Sequence, residues 1–489
     1  MADSSLATEY DVVVVGAGIS GISAGHYLRT ECPDRSFVIL EGRDAIGGTW
    51  DLFRYPGVRS DSDMFTLGFT FRPWTSDAIT ALGPAIRDYV RDTAREEGLL
   101  PAIRFRHRVT GAAWSSTDAR WTVQVDAAGE ARTVRCRFLF FCSGYYDYAH
   151  GHEPEIPDRA AYAGQVVHPQ HWPEGLDVTG KRVVVVGSGA TAVTLIPALA
   201  QQAAHVTMLQ RSPSYILAIP ARDGVGRFLQ ALLPRRFAYR VIRWKNILIA
   251  AAIYQLARRR PEAMGRWLVQ QAQRRSGVDV RHLQPRYQPW DQRLCIVPDA
   301  DLFAALRAGR ASVVTDRIER FTPAGLRLAS GEDLPADVVV TATGLQLQLF
   351  GGARITVDGR PVEVAQALSY KGMMLAGVPN FALAMGYTNA SWTLKAELIA
   401  RQVCRVLNYL RDHRLDVAVA VHEGDAGDTR PALDLQSGYI QRAADALPRQ
   451  GTRKPWRIYQ NYLLDLLSLK LAPLRDGALR FGRQGEPVR

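Results

Sequence analysis

Two groups of small residues in this chain stand at spacings suited to holding a diphosphate. Gly16, Gly18 and Gly21 occur in "VVVVGAGISG", and Gly187, Gly189 and Ala192 occur in "VVVVGSGATA". In each group the first glycine permits a tight turn and the second lets a pyrophosphate approach the backbone. The third small residue lets a helix pack closely on the preceding strand. Phosphate oxygens would then meet the unpaired N–H groups at the helix N-terminus. The two units differ at the end of their second strand. In the first, "SFVIL" leads to Glu41, an acid placed to accept hydrogen bonds from a ribose diol. In the second, "HVTMLQ" leads to Arg211 and Ser212. An acid there would repel a 2′-phosphate, whereas a guanidinium forks onto one. Two sites, acidic at the first ribose and basic at the second, point to FAD followed by NADPH. The plainer alternative for Arg211 is a surface arginine ending a strand. A third group, Gly164, His168 and Trp172, recurs at four-residue intervals in "YAGQVVHPQHWP", the segment that leads toward the second loop.

The loops require strands beneath them. Four valines precede each one, the mark of a parallel strand buried on both faces. Two later apolar runs break into a small residue and glycine: "RFLFFCSGYY" at Gly144 and "ADVVVTATGLQ" at Gly344. Both fit chain crossings between nucleotide-binding domains. The fold class expected is therefore α/β, with two dinucleotide-binding Rossmann-like domains, for FAD and for NADPH, and a helical insertion. A chain of 489 residues is too long for one core. The expected division gives residues 1–146 to the first part of a discontinuous FAD domain and 147–221 to a linker and the first part of the NADPH domain. Residues 222–285 form a basic helical insertion, 286–345 the second part of the NADPH domain, and 346–489 the second part of the FAD domain.

Composition narrows the class further. Hydrophobic residues at 47% and charged residues at 22% exclude a disordered or collagen-like chain. Five cysteines, none spaced as CxxC or CxxxxC, suggest reduced thiols in a cytoplasm, with no metal site and no dithiol redox centre. The net charge of +12 is concentrated: residues 227–275 hold twelve Lys or Arg against one acid, Glu262. No zinc-finger, helix-turn-helix or RNA-binding signature accompanies that charge, so no nucleic-acid partner is expected. The same stretch, as in "RWKNILIAAAIYQLARRR", makes a basic amphipathic face at helical spacing. It reads either as an ordinary helical subdomain or as a contact with an anionic membrane surface. Its longest uncharged run, residues 246–257, is far short of the roughly 20 residues a spanning helix needs. The N-terminal "MADSSLATEY" lacks the basic region before an apolar run that a signal peptide has. A cytoplasmic enzyme, in one reading peripheral at the inner face of the cell membrane, is the expectation.

Reduced flavin can pass electrons to a disulfide, to another acceptor or to O2, and the missing CxxxxC removes the first. Here the chain resembles a known family over nearly its whole length, the class B flavoprotein monooxygenases, and within them the type I Baeyer-Villiger monooxygenases. The family pattern Phe-x-Gly-x-x-x-His-x-x-x-Trp-Pro is met by Tyr162, Gly164, His168, Trp172 and Pro173, with Tyr for Phe the one departure. Related enzymes that oxygenate only nitrogen and sulfur carry a variant of this segment, so the Trp-Pro ending favours the ketone-oxidising branch. A second pattern is met by Gly47, Gly48, Trp50, Tyr55, Pro56, Gly57 and Asp61 in "GGTWDLFRYPGVRSD". A third, "DQRLCIVP", puts Arg293 where the family has its active-site arginine. With "GYTNASWTLKAE" added, the series is most similar to the ethionamide-activating group of these enzymes.

The resemblance implies a flavin C4a-peroxide that must stay deprotonated to attack a ketone carbonyl, giving an ester or lactone. An anion in a dry pocket needs a permanent cation beside it, and arginine is the side chain that stays charged there. Arg293 is implied in that role, with Asp61 orienting it and offsetting its burial; the alternatives are a strand-end arginine and a helix-capping aspartate. The resemblance also implies that Gly48 and Trp50 line the flavin site and that bound NADP shields it. His168 and Trp172 would couple domain movement to cofactor position, unless His168 is a hydrogen-bonded linker residue that merely packs. Family members often carry Lys before the arginine, and Gln292 stands there, leaving NADPH preference to Arg211 and Ser212. The implied partners are O2 and a small ketone or sulfide. Oxygenation of sulfides or thioamides is expected beside that of ketones, and the alternative function is a monooxygenase that acts on nitrogen and sulfur alone.

Overall fold

The computed structural model describes residues 6–423, 427–433 and 435–486. Met1–Ser5, on which part of the N-terminal reading falls, lie outside them.

Two sheets organise the chain. The first has nine strands, in the order Arg360–Pro361, Arg354–Val357, His107–Ser115, Arg120–Ala127, Glu130–Phe141, Glu9–Val15, Phe37–Leu40 and Ile103–Arg104, with Phe381–Leu383 also pairing with Glu130–Phe141. Strand Glu130–Phe141 is the hinge of this arrangement. Its early residues pair antiparallel with Arg120–Ala127, while Leu139–Phe141 pair in parallel with Phe381–Leu383. Strands from both ends of the chain thus share one sheet. Successive residues of Val12–Val15 serve opposite faces: Val12 and Val14 join one core, Val13 and Val15 another, and all four are nearly inaccessible. This is the period-2 alternation of a strand buried on both sides, so an unbroken valine run is what the position requires.

The second sheet is wholly parallel, in the order Ala311–Thr315, His205–Gln210, Arg182–Val186, Val338–Thr341 and Gln165–Val167. The segment read as a connector therefore supplies the edge strand of this sheet, three residues long. Two crossings between the sheets, Tyr146–Gly151 and Leu345–Leu347, run antiparallel to one another.

Helices Gly224–Leu232, Arg235–Arg259 and Pro261–Ser276 enter the chain between two strands of the second sheet. Pro261–Ser276 stays with that sheet, packing on helix Asp301–Arg307 and strand Ile216–Ile219. Arg235–Arg259 instead packs on Met64–Leu67, beside the first sheet's half of the molecule. Arg243, one of the twelve basic residues of 227–275, lies inside the packing and not on a solvated face. It is 4% exposed, donates to the carbonyls of Phe65 (2.9 Å) and Gly68 (2.6 Å), and pairs with the Glu397 carboxylate at 3.0 Å. A helix docked on a neighbour must bury one side, and here an arginine satisfies the exposed carbonyls of the turn beneath it.

Candidate active site

A cavity of about 530 Å³ opens at the carboxyl ends of strands Glu9–Val15 and Glu130–Phe141, the place where open parallel sheets bind ligands. Gly16, Gly18, Glu41, Gly48, Trp50, Asp61 and Arg293 all stand on its wall. Gly16 has φ +103°, and a Cβ there would meet the Cys142 carbonyl oxygen at 2.8 Å. Gly21 is behind the wall, where a Cβ would fall 1.8 Å from the Gly16 carbonyl oxygen. Gly18 and Gly48 face each other closely enough for a Cβ on Gly48 to lie 3.1 Å from the Gly18 Cα. The floor is thus bare backbone at the N-terminus of helix Ile19–Glu31, a cradle that a flavin dinucleotide's diphosphate fits.

Glu41 accepts from the Ala17 amide at 2.7 Å and the Arg43 amide at 2.9 Å. Burial pushes its pKa up and these amides pull it back. Beside it, Asp51 is 1% exposed, 2.7 Å from Arg43 and 2.8 Å from Arg91, while Arg43 also donates to the Gly48 carbonyl. This cluster holds the Gly47–Trp50 loop. Asp51 and Arg43 were not singled out in the sequence, although Asp51 sits inside the "GGTWD" motif.

Arg293 and Asp61 are brought together. Arg293 Nη1 lies 3.9 Å from Asp61 Oδ2, and Nη2 donates to the Tyr145 hydroxyl at 3.3 Å. Both side chains are about a third exposed, at 31% and 32%, on the cavity wall. The guanidinium is not saturated, because Nε has no hydrogen-bond partner among the described residues. The surroundings drive its pKa further above the ordinary arginine value, through Tyr439, Tyr145 and Tyr146 at the high pH where phenols ionise and through the Asp61 carboxylate, against the pull of burial. Tyr146 and Tyr439 are themselves pushed up to about 12 by burial, so they remain protonated hydroxyls. Tyr145 and Trp392 complete the wall, their rings 5.2 Å apart, with Trp392 Nε1 donating to Ser20 Oγ at 2.7 Å. Tyr145 and Tyr146 follow directly on the glycine break at Gly144, and that position was the only signal for them.

Gly187, Gly189, Ala192, Arg211 and Ser212 form a separate site on the second sheet. Gly187 has φ +136°, and a Cβ there would sit 2.4 Å from the Ala342 carbonyl oxygen. Gly189 has open space where its Cβ would be, as an approaching diphosphate requires. Ala192, in the first turn of helix Ala190–Leu199, is fully buried. Arg211 is exposed beyond strand His205–Gln210, with no ion-pair or hydrogen-bond partner among the described residues, and the Ser212 carbonyl accepts from Ser188 Oγ at 2.9 Å. These residues suit the 2′-phosphate and diphosphate of NADP. The two sites adjoin: the Cys295 thiol, two residues after Arg293, reaches the Ser188 carbonyl at 3.8 Å. Gly57 is pressed on helix Ala190–Leu199, where a Cβ would meet the Thr194 carbonyl oxygen at 2.5 Å, so the "YPG" motif lies at the seam of the two halves.

His168 is 8% exposed at the end of strand Gln165–Val167, its Nδ1 accepting from the Gln170 amide at 3.2 Å and its ring packed on the bare Cα of Gly151. Burial lowers its pKa, which favours the neutral ring. Trp172 packs against the second sheet's core, and Gly164 leaves room for the Tyr162 hydroxyl and the Asp337 carbonyl. The Tyr162 hydroxyl donates to the buried Ala336 carbonyl at 3.0 Å, which gives the Tyr-for-Phe departure a use. Tyr162→Phe should therefore lower stability by about 1 kcal/mol, read as a lower thermal midpoint. An unchanged midpoint would show that the bond is idle.

The five cysteines are free and buried, and no His, Cys, Asp and Glu cluster among the described residues could hold a metal.

Known proteins resemble the chain over nearly its full length. The flavin-binding monooxygenase-like family matches residues 81–385, and an NAD(P)-binding Rossmann-like domain matches residues 14–82. The FAD-containing monooxygenase EthA of Mycobacterium tuberculosis is 52% identical over 482 residues, covering 98% of this chain and 99% of the relative. The probable FAD-binding monooxygenase AlmA of Acinetobacter baylyi is 46% identical over 485 residues, covering 98% and 97%. Among solved structures, an oxidised steroid monooxygenase bound to NADP superposes with a TM-score of 0.72 at 24% identity, covering 85% of this chain and 88% of that one. An open cyclohexanone monooxygenase superposes at 0.70 and 21%, covering 85% and 90%. These structures share the two-domain fold.

Proposed function

The chain belongs to the flavin-binding monooxygenase-like family, and from that premise we propose that it is a Baeyer-Villiger monooxygenase dependent on FAD, NADPH and O2. A ketone, O2, NADPH and a proton would become an ester or lactone, NADP and water, and sulfides or thioamides would be oxygenated at sulfur. The observation that carries the reading is Arg293, a cation on the wall of the first cavity next to Asp61.

Gly16, Gly18 and Gly21 would seat the FAD diphosphate, Glu41 would take the ribose, and Gly48 and Trp50 would close over the site. Bound and reduced, FAD supplies the electrons that activate O2. The protein's part is electrostatic and spatial. Arg293 puts a fixed positive charge where negative charge collects on oxygen, and a low-dielectric wall strengthens that interaction. Asp61 and the Tyr145 hydroxyl aim the guanidinium without capping all of its donors. The buried, neutral His168 fixes the edge strand against Gly151, and the seam at Gly57 keeps the second site in step with the first.

The test is product analysis of the purified yellow protein on phenylacetone, 2-octanone and a sulfide, each with NADPH. Esters are expected from the ketones. Oxidised sulfide with no ester from any ketone would assign the chain to heteroatom oxygenation alone.

Arg211 would read the 2′-phosphate. Arg211→Ala should raise the KM for NADPH about 10- to 100-fold, the worth of a charge-assisted hydrogen bond, and leave NADH use nearly unchanged. Equal losses for both cofactors would remove Arg211 from that role.

A further inference from the structure

Fifteen of the eighteen exposed large hydrophobic side chains among the described residues fall in two segments, the helical insertion and the C-terminal stretch Tyr462–Leu471. Phe228 and Leu232 are 63% and 64% exposed, Trp244 and Leu248 42% and 51%, and Leu467 and Leu471 55% and 64%. The segments that carry them adjoin. Helix Gly224–Leu232 packs on Arg235–Arg259, and the Trp244 ring lies 5.9 Å from that of Tyr462. Beneath them, Ile247 and Tyr462 join one core cluster. Phe237, Trp244, Leu248 and Leu256 recur at helical spacing along the long helix, so the exposure is a stripe and not scattered single residues. A monomer in water rarely leaves so continuous an apolar surface uncovered.

The charge around this face identifies what covers it. Of the twelve Lys and Arg in 227–275, Arg243, Lys245, Arg258 and Arg266 pair with carboxylates. The other eight are exposed and have no carboxylate partner among the described residues, Arg235, Arg236 and Arg240 among them. A second copy seated on the same face would bring two such sets of arginines together, because a twofold contact places each patch against itself. A nucleic acid would leave the leucine and tryptophan surface in water. Head-group phosphates over an acyl boundary satisfy both chemistries. No helix among the described residues is long and apolar enough to cross a membrane.

We propose that this face docks the enzyme flat on an anionic bilayer. Phe228, Leu232, Trp244 and Leu467 enter the acyl boundary and the unpaired arginines contact lipid phosphates. The reading extends the basic stretch with the C-terminal segment, and does not depend on which substrate is oxygenated.

The experiment is co-sedimentation of the full-length, FAD-loaded protein with phosphatidylcholine vesicles, with and without phosphatidylglycerol, alongside quenching of tryptophan fluorescence by brominated lipid. Binding and quenching are expected only with phosphatidylglycerol, and both should weaken as salt rises. The double variant Arg235→Glu, Arg236→Glu should lower partitioning at least about tenfold with its NADPH oxidation unchanged. Phe228→Ser with Leu232→Ser should lower it as well, which charge attraction alone would not produce. Three results would overturn the proposal: parent protein that stays in the supernatant with anionic vesicles, equal binding to both vesicle types, or a dimer in solution that the Phe228→Ser, Leu232→Ser pair dissociates.

Discussion

Arg293→Ala should still accept hydride from NADPH at close to the parent rate, yet form ester about 100- to 1,000-fold more slowly, with the consumed O2 recovered as hydrogen peroxide. That range is the usual cost of removing one preorganised charge-stabilising donor from an active site. The separation of the two activities comes from position. Arg293 stands on the wall of the first cavity beside Asp61 and Tyr145, whereas Gly187, Gly189 and Arg211 occupy the second sheet. Arg293→Lys should recover little, because an ammonium lacks the planar fork and loses its proton more readily when desolvated. Stopped-flow reduction and gas chromatography of the product give the two rates separately. Ester formation by Arg293→Ala at the parent rate would remove the arginine from the chemistry.

Glu397→Ala should be the most destabilising single change at the contact between the insertion and the first sheet's half, at about 3–5 kcal/mol. Glu397 and Arg243 are each 4% exposed. The carboxylate accepts from Arg243 at 3.0 Å, the Thr70 amide at 2.9 Å, the Thr70 hydroxyl at 2.7 Å and the Tyr27 hydroxyl at 3.1 Å. Removing it strands a guanidinium in a low-dielectric contact together with three donors. The paired change Arg243→Met with Glu397→Leu should cost less than Glu397→Ala, since replacing both partners leaves no orphaned charge. Thermal midpoints of the FAD-bound proteins measure both. A Glu397→Ala midpoint equal to the parent's would mean that the pair contributes nothing to holding the helix.

The parts of the molecule legible in the sequence are those where local geometry dictates residue type. Gly16 and Gly187 adopt positive φ against a neighbouring carbonyl, so nothing larger fits, and the valine runs before them are buried on both faces of a sheet. The fold class came from these units. Arg293 and Asp61 are far apart in the chain, and only motif resemblance suggested that they meet.

Other features depend on tertiary docking and had no local signal. Arg243 reads as one more arginine in a basic run until the helix carrying it is set on Phe65 and Gly68. Strand Gln165–Val167 is too short to show a period, and its pairing with Val338–Val340 is what defines it. The stretch "GYTNASWTLKAE" was recognisable only as a series. In the fold it divides into Tyr387 and Trp392 on the cavity wall, Lys395 paired with Asp465 at 2.8 Å, and Glu397 paired with Arg243.

The most direct measurement is oxidation of phenylacetone by the purified holoenzyme with NADPH under 18O2, followed by mass spectrometry of the product. The expected result is benzyl acetate carrying one heavy oxygen at the bridging position, with the other atom of the O2 appearing in water. Ester that carries only light oxygen, or NADPH consumption that yields no ester from this or any other ketone, would contradict a ketone-oxygenating site built around Arg293.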